Sequence, residues 1–227
     1  MALGTLLLVL TTLPEIFGAL VSDALSGVSV PGGSVAAEAV KHYRQRRAED
    51  ARDVLLDELR AGEITPPSVT SRDDLIGVTI RYLRAAYEGA ARLNLRLLAK
   101  AIAGALHRDT LTADAFLATA DSLSSLSRQE IIVIGALLHF ERFVVEQPRP
   151  AEGPWAPPWV MLVEDLQRTQ GMTGSEIDAT AARAQRSGLI YATSIEVGMS
   201  YQVSPLLTKL SETVDFLDAL RKEGVSF

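Results

Sequence analysis

Leu13, Ile16, Phe17, Leu20, Val21, Ala24 and Leu25 recur at three- and four-residue steps, with Glu15, Gly18, Ser22 and Asp23 mostly on the other side. That period predicts an amphipathic helix. Thr12 and Glu15, with Pro14 early in the turn, predict a capping box at its start. Before it, Leu6-Leu7-Leu8-Val9-Leu10 is continuous hydrocarbon, but Thr11 to Glu15 interrupt it well short of the roughly 20 apolar residues of a spanning helix. No Lys or Arg stands ahead of the run, as a signal peptide would need. Pro31-Gly32-Gly33 marks a turn, and Ser34 then opens a long helix ending at Ala61 before Gly62.

Pro66-Pro67 lies in a loop, and Ser71 caps the next helix with Asp73 and Asp74 in its first turn, where carboxylates favour the dipole's positive end. The apolar pattern carries that helix to about Leu106, with Gly77, Gly89 and Gly104 as weak points or close-packing sites. Thr112 caps a helix over 113–125. Ser127 and Glu130 form a capping box for a helix to Gln147. Its stretch Ile131–Phe140 is apolar on every side, too short to span a bilayer, and reads as the central helix of a bundle. Pro148, Pro150, Pro154, Pro157 and Pro158 then form the clearest linker, flanked by Trp155 and Trp159.

Beyond the linker come a short helix to Gln170, a capping box at Thr173 and Glu176, and a helix that meets Gly188. Leu189-Ile190-Tyr191-Ala192-Thr193 and Tyr201-Gln202-Val203 read as strands, and Ser204-Pro205 starts a closing helix. Helix, Gly-Leu-Ile, polar hairpin and Tyr-Gln-Val-Ser-Pro-Leu-Leu into a helix resembles winged-helix domains of the multiple-antibiotic-resistance-regulator type, over about 159–220. The resemblance implies a DNA-reading fold, with Ser175–Ser187 as recognition helix and Thr193–Gln202 as wing. Arg183 and Arg186 would then be the DNA contacts.

Charge argues against that use. The chain carries a net charge of −6, and from Ala151 to Phe227 there are 6 basic and 10 acidic residues. The helix sets Glu176 and Asp178 against its arginines, and the wing's one charge is Glu196. A DNA surface needs cations to neutralise phosphates. A winged helix can equally serve protein contacts, since fold does not fix function.

No cysteine is present, which excludes disulfides, thiolate metal sites and thiol nucleophiles. Glu38 with His42, or His139 with Glu141, is too sparse for a metal site in a bundle. No Gly-rich phosphate loop, His-Glu-x-x-His or Gly-x-Ser-x-Gly pattern occurs. The sequence therefore predicts no enzyme, no metal and no cofactor.

Two groups of residues remain candidates for partner contact. Arg81, Arg84, Arg92, Arg96 and Lys100, with Glu88 in the gap, would share one face of a helix over 72–106. They read as an anion or acidic-partner stripe, or as partners of Asp50, Asp53, Asp57, Glu49 and Glu58 on the preceding helix. Leu13, Ile16, Phe17, Leu20 and Val21 form an apolar face that packs on the protein's own core, on a second subunit or on a membrane through residues 1–26. Lys41, Arg44, Arg46 and Arg47 read as an exposed helix face. Asn94, polar in an apolar run, reads as a buried hydrogen-bonding residue.

The expectation is a mainly α cytoplasmic protein, with peripheral membrane attachment as one alternative. An amphipathic arm (1–33) precedes a helical bundle (34–147), a Pro-rich linker (148–158) and a small winged-helix-like α+β domain (159–227). Its expected role is a non-enzymatic interaction or scaffold protein, homo-oligomeric through the arm. A DNA-binding regulator and a membrane-associated effector are the alternatives.

Overall fold

The computed structural model describes residues 15–23, 34–61, 71–146, 157–195 and 198–227. The capping box at Thr12 and most of the Pro-rich segment lie outside them. The chain divides into two compact units, Met1–Ser124 and Ser125–Phe227.

In the first unit the three- and four-residue periods are realised as helices: α1 (15–23), α2 (Ser34–Ala61), α3 (Arg72–Tyr87), α4 (Arg92–His107) and α5 (Ala113–Ser124). Ser71 caps α3 by accepting the Asp74 N–H, as its position before an acidic first turn predicts. The helix expected over 72–106 is two helices. Gly89 adopts φ +91°, a left-handed conformation that ends α3 and turns the chain into α4. Arg47 of α2 closes that turn by donating to the carbonyls of Ala86 and Ala90. Gly77 is a close-packing site instead, since a Cβ there would lie 3.0 Å from the Ala113 Cβ.

α4 is the core element. It packs against α2 and α5 and buries Leu93, Leu95, Leu97, Leu98, Ile102 and Leu106. Asn94, 1% exposed, donates through Nδ2 to the Leu123 carbonyl at 2.8 Å. It thereby satisfies one of the carbonyls that α5 leaves open in its last turn.

The second unit is built on α6 (Arg128–Glu146), followed by α7 (Pro158–Gln170), α8 (Gly174–Ala184), a 3-10 turn (Gln185–Ser187), β1 (Ile190–Ile195), β2 (Gly198–Val203), α9 (Pro205–Ser211) and α10 (Phe216–Lys222). The apolar run of α6 is buried as expected, but it groups with these C-terminal elements and not with the preceding bundle. Gly135 is the reason α10 can lie on it. A Cβ there would fall 2.2 Å from the Leu220 Cδ1. The boundary between the two compact units falls at Ser124–Ser125.

The strands form an antiparallel two-stranded sheet with Ile190 opposite Val203 and Thr193 opposite Ser200. Gly188, at φ +72°, supplies the left-handed turn between helix and strand. At the other end Ser204 accepts the Leu207 N–H and Pro205 occupies the first turn of α9. The described residues are mainly helical, with a small two-stranded sheet near the C-terminus.

Candidate functional site

Arg186 follows α8 by two residues, and both terminal nitrogens of its guanidinium are bonded within its own unit. Nη1 pairs with Glu130 Oε1 and donates to the Arg183 carbonyl at 2.7 Å; Nη2 donates to Glu130 Oε2 at 3.0 Å and to the Ser125 carbonyl at 2.9 Å. Glu130 is also the third residue of α6. Its Oε2 accepts the Ser127 N–H at 2.7 Å while Ser127 Oγ accepts the Glu130 N–H at 3.3 Å, completing the expected capping box. Burial pushes the Glu130 carboxyl up, but Arg186 and the Ser127 N–H and hydroxyl outweigh it and hold the group at about 2.

The rest of α8 follows from its cap. Thr173 and Glu176 form a full capping box, and the Thr173 N–H and hydroxyl keep the Glu176 carboxyl below its ordinary range. Ile177, Thr180, Ala181 and Ala184 turn inward. Ser175, Glu176, Asp178, Ala179, Ala182 and Arg183 face solvent, and Arg183 donates to Thr180 Oγ1 at 3.2 Å. Such a face is small and acidic. The described parts of the hairpin carry no charge.

The hairpin is held at its base. Tyr201 stacks at a tilt on Trp159, centroids 4.7 Å apart, and its hydroxyl lies 3.5 Å from the Asp178 carbonyl. Glu141 of α6 accepts the Val203 N–H at 2.8 Å, and burial raises its pKa. This removes Glu141 from the pairing with His139 considered above. The His139 ring instead stacks on Phe227, centroids 5.9 Å apart.

The expected basic stripe is not continuous, because the break at Gly89 separates its two halves. Arg81 pairs with Asp121, and Arg84 donates to Glu88 at 2.6 Å. Arg96 and Lys100 both reach Glu58, at 2.6 and 2.9 Å, with the Glu58 side chain 2% exposed. Arg92 is exposed. The acid that meets this helix is therefore Glu58, while Asp50, Asp53 and Asp57 stay in solvent. Above the pair, the Tyr82 hydroxyl donates to the Ala51 carbonyl at 2.9 Å, and burial raises its pKa.

The apolar arm is also turned inward. Ile16 and Phe17 are 8% and 3% exposed, and Leu20 and Val21 are half-buried. Phe17 and Val21 line a groove of about 390 Å³ with Gln45, Ala48 and Arg52 of α2. Leu13 lies outside the described residues. Of this face, Ile16 and Phe17 are thus withdrawn from solvent, while Leu20 and Val21 keep part of their surface exposed. Among the described residues no helix is long and apolar enough to cross a membrane, and no three His, Asp or Glu side chains gather as a metal site requires.

Sequence reasoning named the capping Glu130 but not its second role. The signal that could have found it is Arg186 standing just past a helix whose outer face carries Glu176 and Asp178. No protein-family model, no curated protein and no solved structure matches this chain.

Proposed function

We propose that this chain is a non-enzymatic interaction protein whose C-terminal unit is a winged-helix-like module turned from DNA reading to protein contact. The order α7, α8, hairpin, α9 supports the winged-helix reading, with α8 as the recognition helix and β1–β2 as the wing. The observation that carries the functional reading is the state of Arg186. A cation that reads DNA must be free to meet a phosphate or a base edge. Here the guanidinium is closed on Glu130, Ser125 and Arg183, and the helix face beside it is acidic. The buried carboxylates Glu58 and Glu130 are likewise tied to cations or caps, an arrangement that serves architecture more than proton transfer.

The test is a titration of the full-length protein with fluorescent random-sequence duplex DNA at low salt, followed by light scattering of the protein alone. The expected result is no salt-sensitive DNA binding. Tight binding that falls steeply with salt and is lost in Arg183→Ala would overturn the reading in favour of a DNA-binding regulator.

A further inference from the structure

Among the described residues the hairpin's β2 edge is engaged at its base by α6, and no strand follows on its β1 edge. The Ser204 N–H donates to the Leu189 carbonyl at 3.0 Å, so Leu189 and Ser204 form a hydrogen-bonded pair. Antiparallel pairs alternate, which makes Tyr191–Gln202 and Thr193–Ser200 hydrogen-bonded as well. Ile190, Ala192 and Ser194 on β1, and Val203, Tyr201 and Met199 on β2, therefore point their N–H and C=O groups outward. On the β2 side the Val203 N–H is taken up by Glu141. On the β1 side no described strand follows.

Natural edge strands are guarded by lysines, prolines, bulges or very short length. β1 has six residues, Ile-Tyr-Ala-Thr-Ser-Ile, with no charge and no proline. From Leu189 to Thr208 the only charged residue in the sequence is Glu196. In a chain of net charge −6, this neutral strip meets a copy of itself without repulsion. Tyr191 and Met199, 43% and 53% exposed on opposite faces of the ribbon, add residue types enriched at protein interfaces.

We propose that β1 is a self-association edge. It pairs antiparallel with β1 of a second copy about a two-fold axis at Thr193, so that Ala192 lies opposite the second copy's Ser194. About four backbone hydrogen bonds form, two in each Ala192–Ser194 pair. The contact is one strand long, roughly 20 Å, which places it among transient interfaces. The dimer therefore depends on concentration. This inference deepens the interaction reading above and rests on it.

The experiment is sedimentation velocity on the full chain across a concentration series, with amide hydrogen exchange on the same samples. Self-association is expected, and the amides of Ala192 and Ser194 gain protection with concentration while that of Thr193, already bonded inside the hairpin, does not. Ala192→Pro removes an outward N–H without touching the hairpin's own bonds, and Ser194→Lys places a charge on the edge without altering the backbone. Each weakens the dimer by about tenfold or more. Mixing Ala192→Glu with Ser194→Lys, which sets opposite charges across the pair, restores association.

If the wild-type chain dimerises and neither variant weakens it, the edge proposal is overturned while the interaction reading stands. A wild-type chain that is monomeric throughout also overturns it. In that case the DNA titration above decides separately whether the interaction reading survives.

Discussion

Glu58 in α2 and Glu130 in α6 are both withdrawn from solvent and both bonded to arginine, yet their surroundings differ. Glu58 lies one residue from the solvated Asp57 but turns inward and bridges two cations of α4, Arg96 and Lys100, each largely buried. Glu130 sits at a helix start, accepts the N–H of its cap residue Ser127 while donating its own N–H to the Ser127 hydroxyl, and meets an arginine whose side chain is 48% exposed. The first carboxylate joins two helices. The second fixes a helix start and, through it, the segment leading into β1. Buried charge is thus used in one unit for packing and in the other for positioning.

The largest expected effect breaks the first side of that comparison. Glu58→Ala leaves Arg96 and Lys100 without their shared carboxylate, at a cost of roughly 3–5 kcal/mol; urea denaturation with residue-resolved hydrogen exchange should show lost protection across α2 and α4. Phe17→Asp comes next, about 3 kcal/mol from exchanging a buried ring for a charge. It should lower the thermal midpoint, whereas a membrane anchor would release the protein at unchanged stability. Gly135→Ala forces a methyl into Leu220 and is expected to destabilise the second unit by about 1–3 kcal/mol, read as a lower melting temperature.

Arg186→Ala is the mildest and the most diagnostic. The guanidinium's exposure discounts the pair to about 1–2 kcal/mol. The folded pKa of Glu130, about 2, lies below its ordinary 4.5. Its contribution is therefore fully present above pH 4.5 and is lost as the pH falls toward 2. Glu141 works against this, because its raised pKa gives stability below its ordinary range that is lost as pH rises through the folded value. An acid titration of the variant should show a shallower loss between those limits than the wild type.

What was legible in the sequence was what neighbours in the chain decide. Ser71, Ser127, Thr173 and Ser204 cap helices because each finds its partner three residues away. The hairpin followed from Gly188 and the two β-rich runs for the same reason. Gly89 was recognisable as a weak point, but whether it bends, breaks or packs depends on the Arg47 side chain reaching back from α2. The choice of Glu58 over Asp50, Asp53 and Asp57 was hidden because it turns on which face of α2 meets α4. The pairing of Arg186 was hidden for a similar reason: Glu130, its partner, lies 56 positions earlier in the chain.

The way α6 is covered has a consequence for synthesis. Arg128 at its start donates to the Glu223 carbonyl, 95 positions later, and Gly135 receives Leu220. A helix whose residues Ile131–Leu138 are almost wholly apolar must therefore leave the ribosome long before its cover is made. In the second unit α7 and α8 cover α6 first, and the strip at Gly135 is closed only when α10 is made. A chain halted before α10 would leave that strip of α6 exposed.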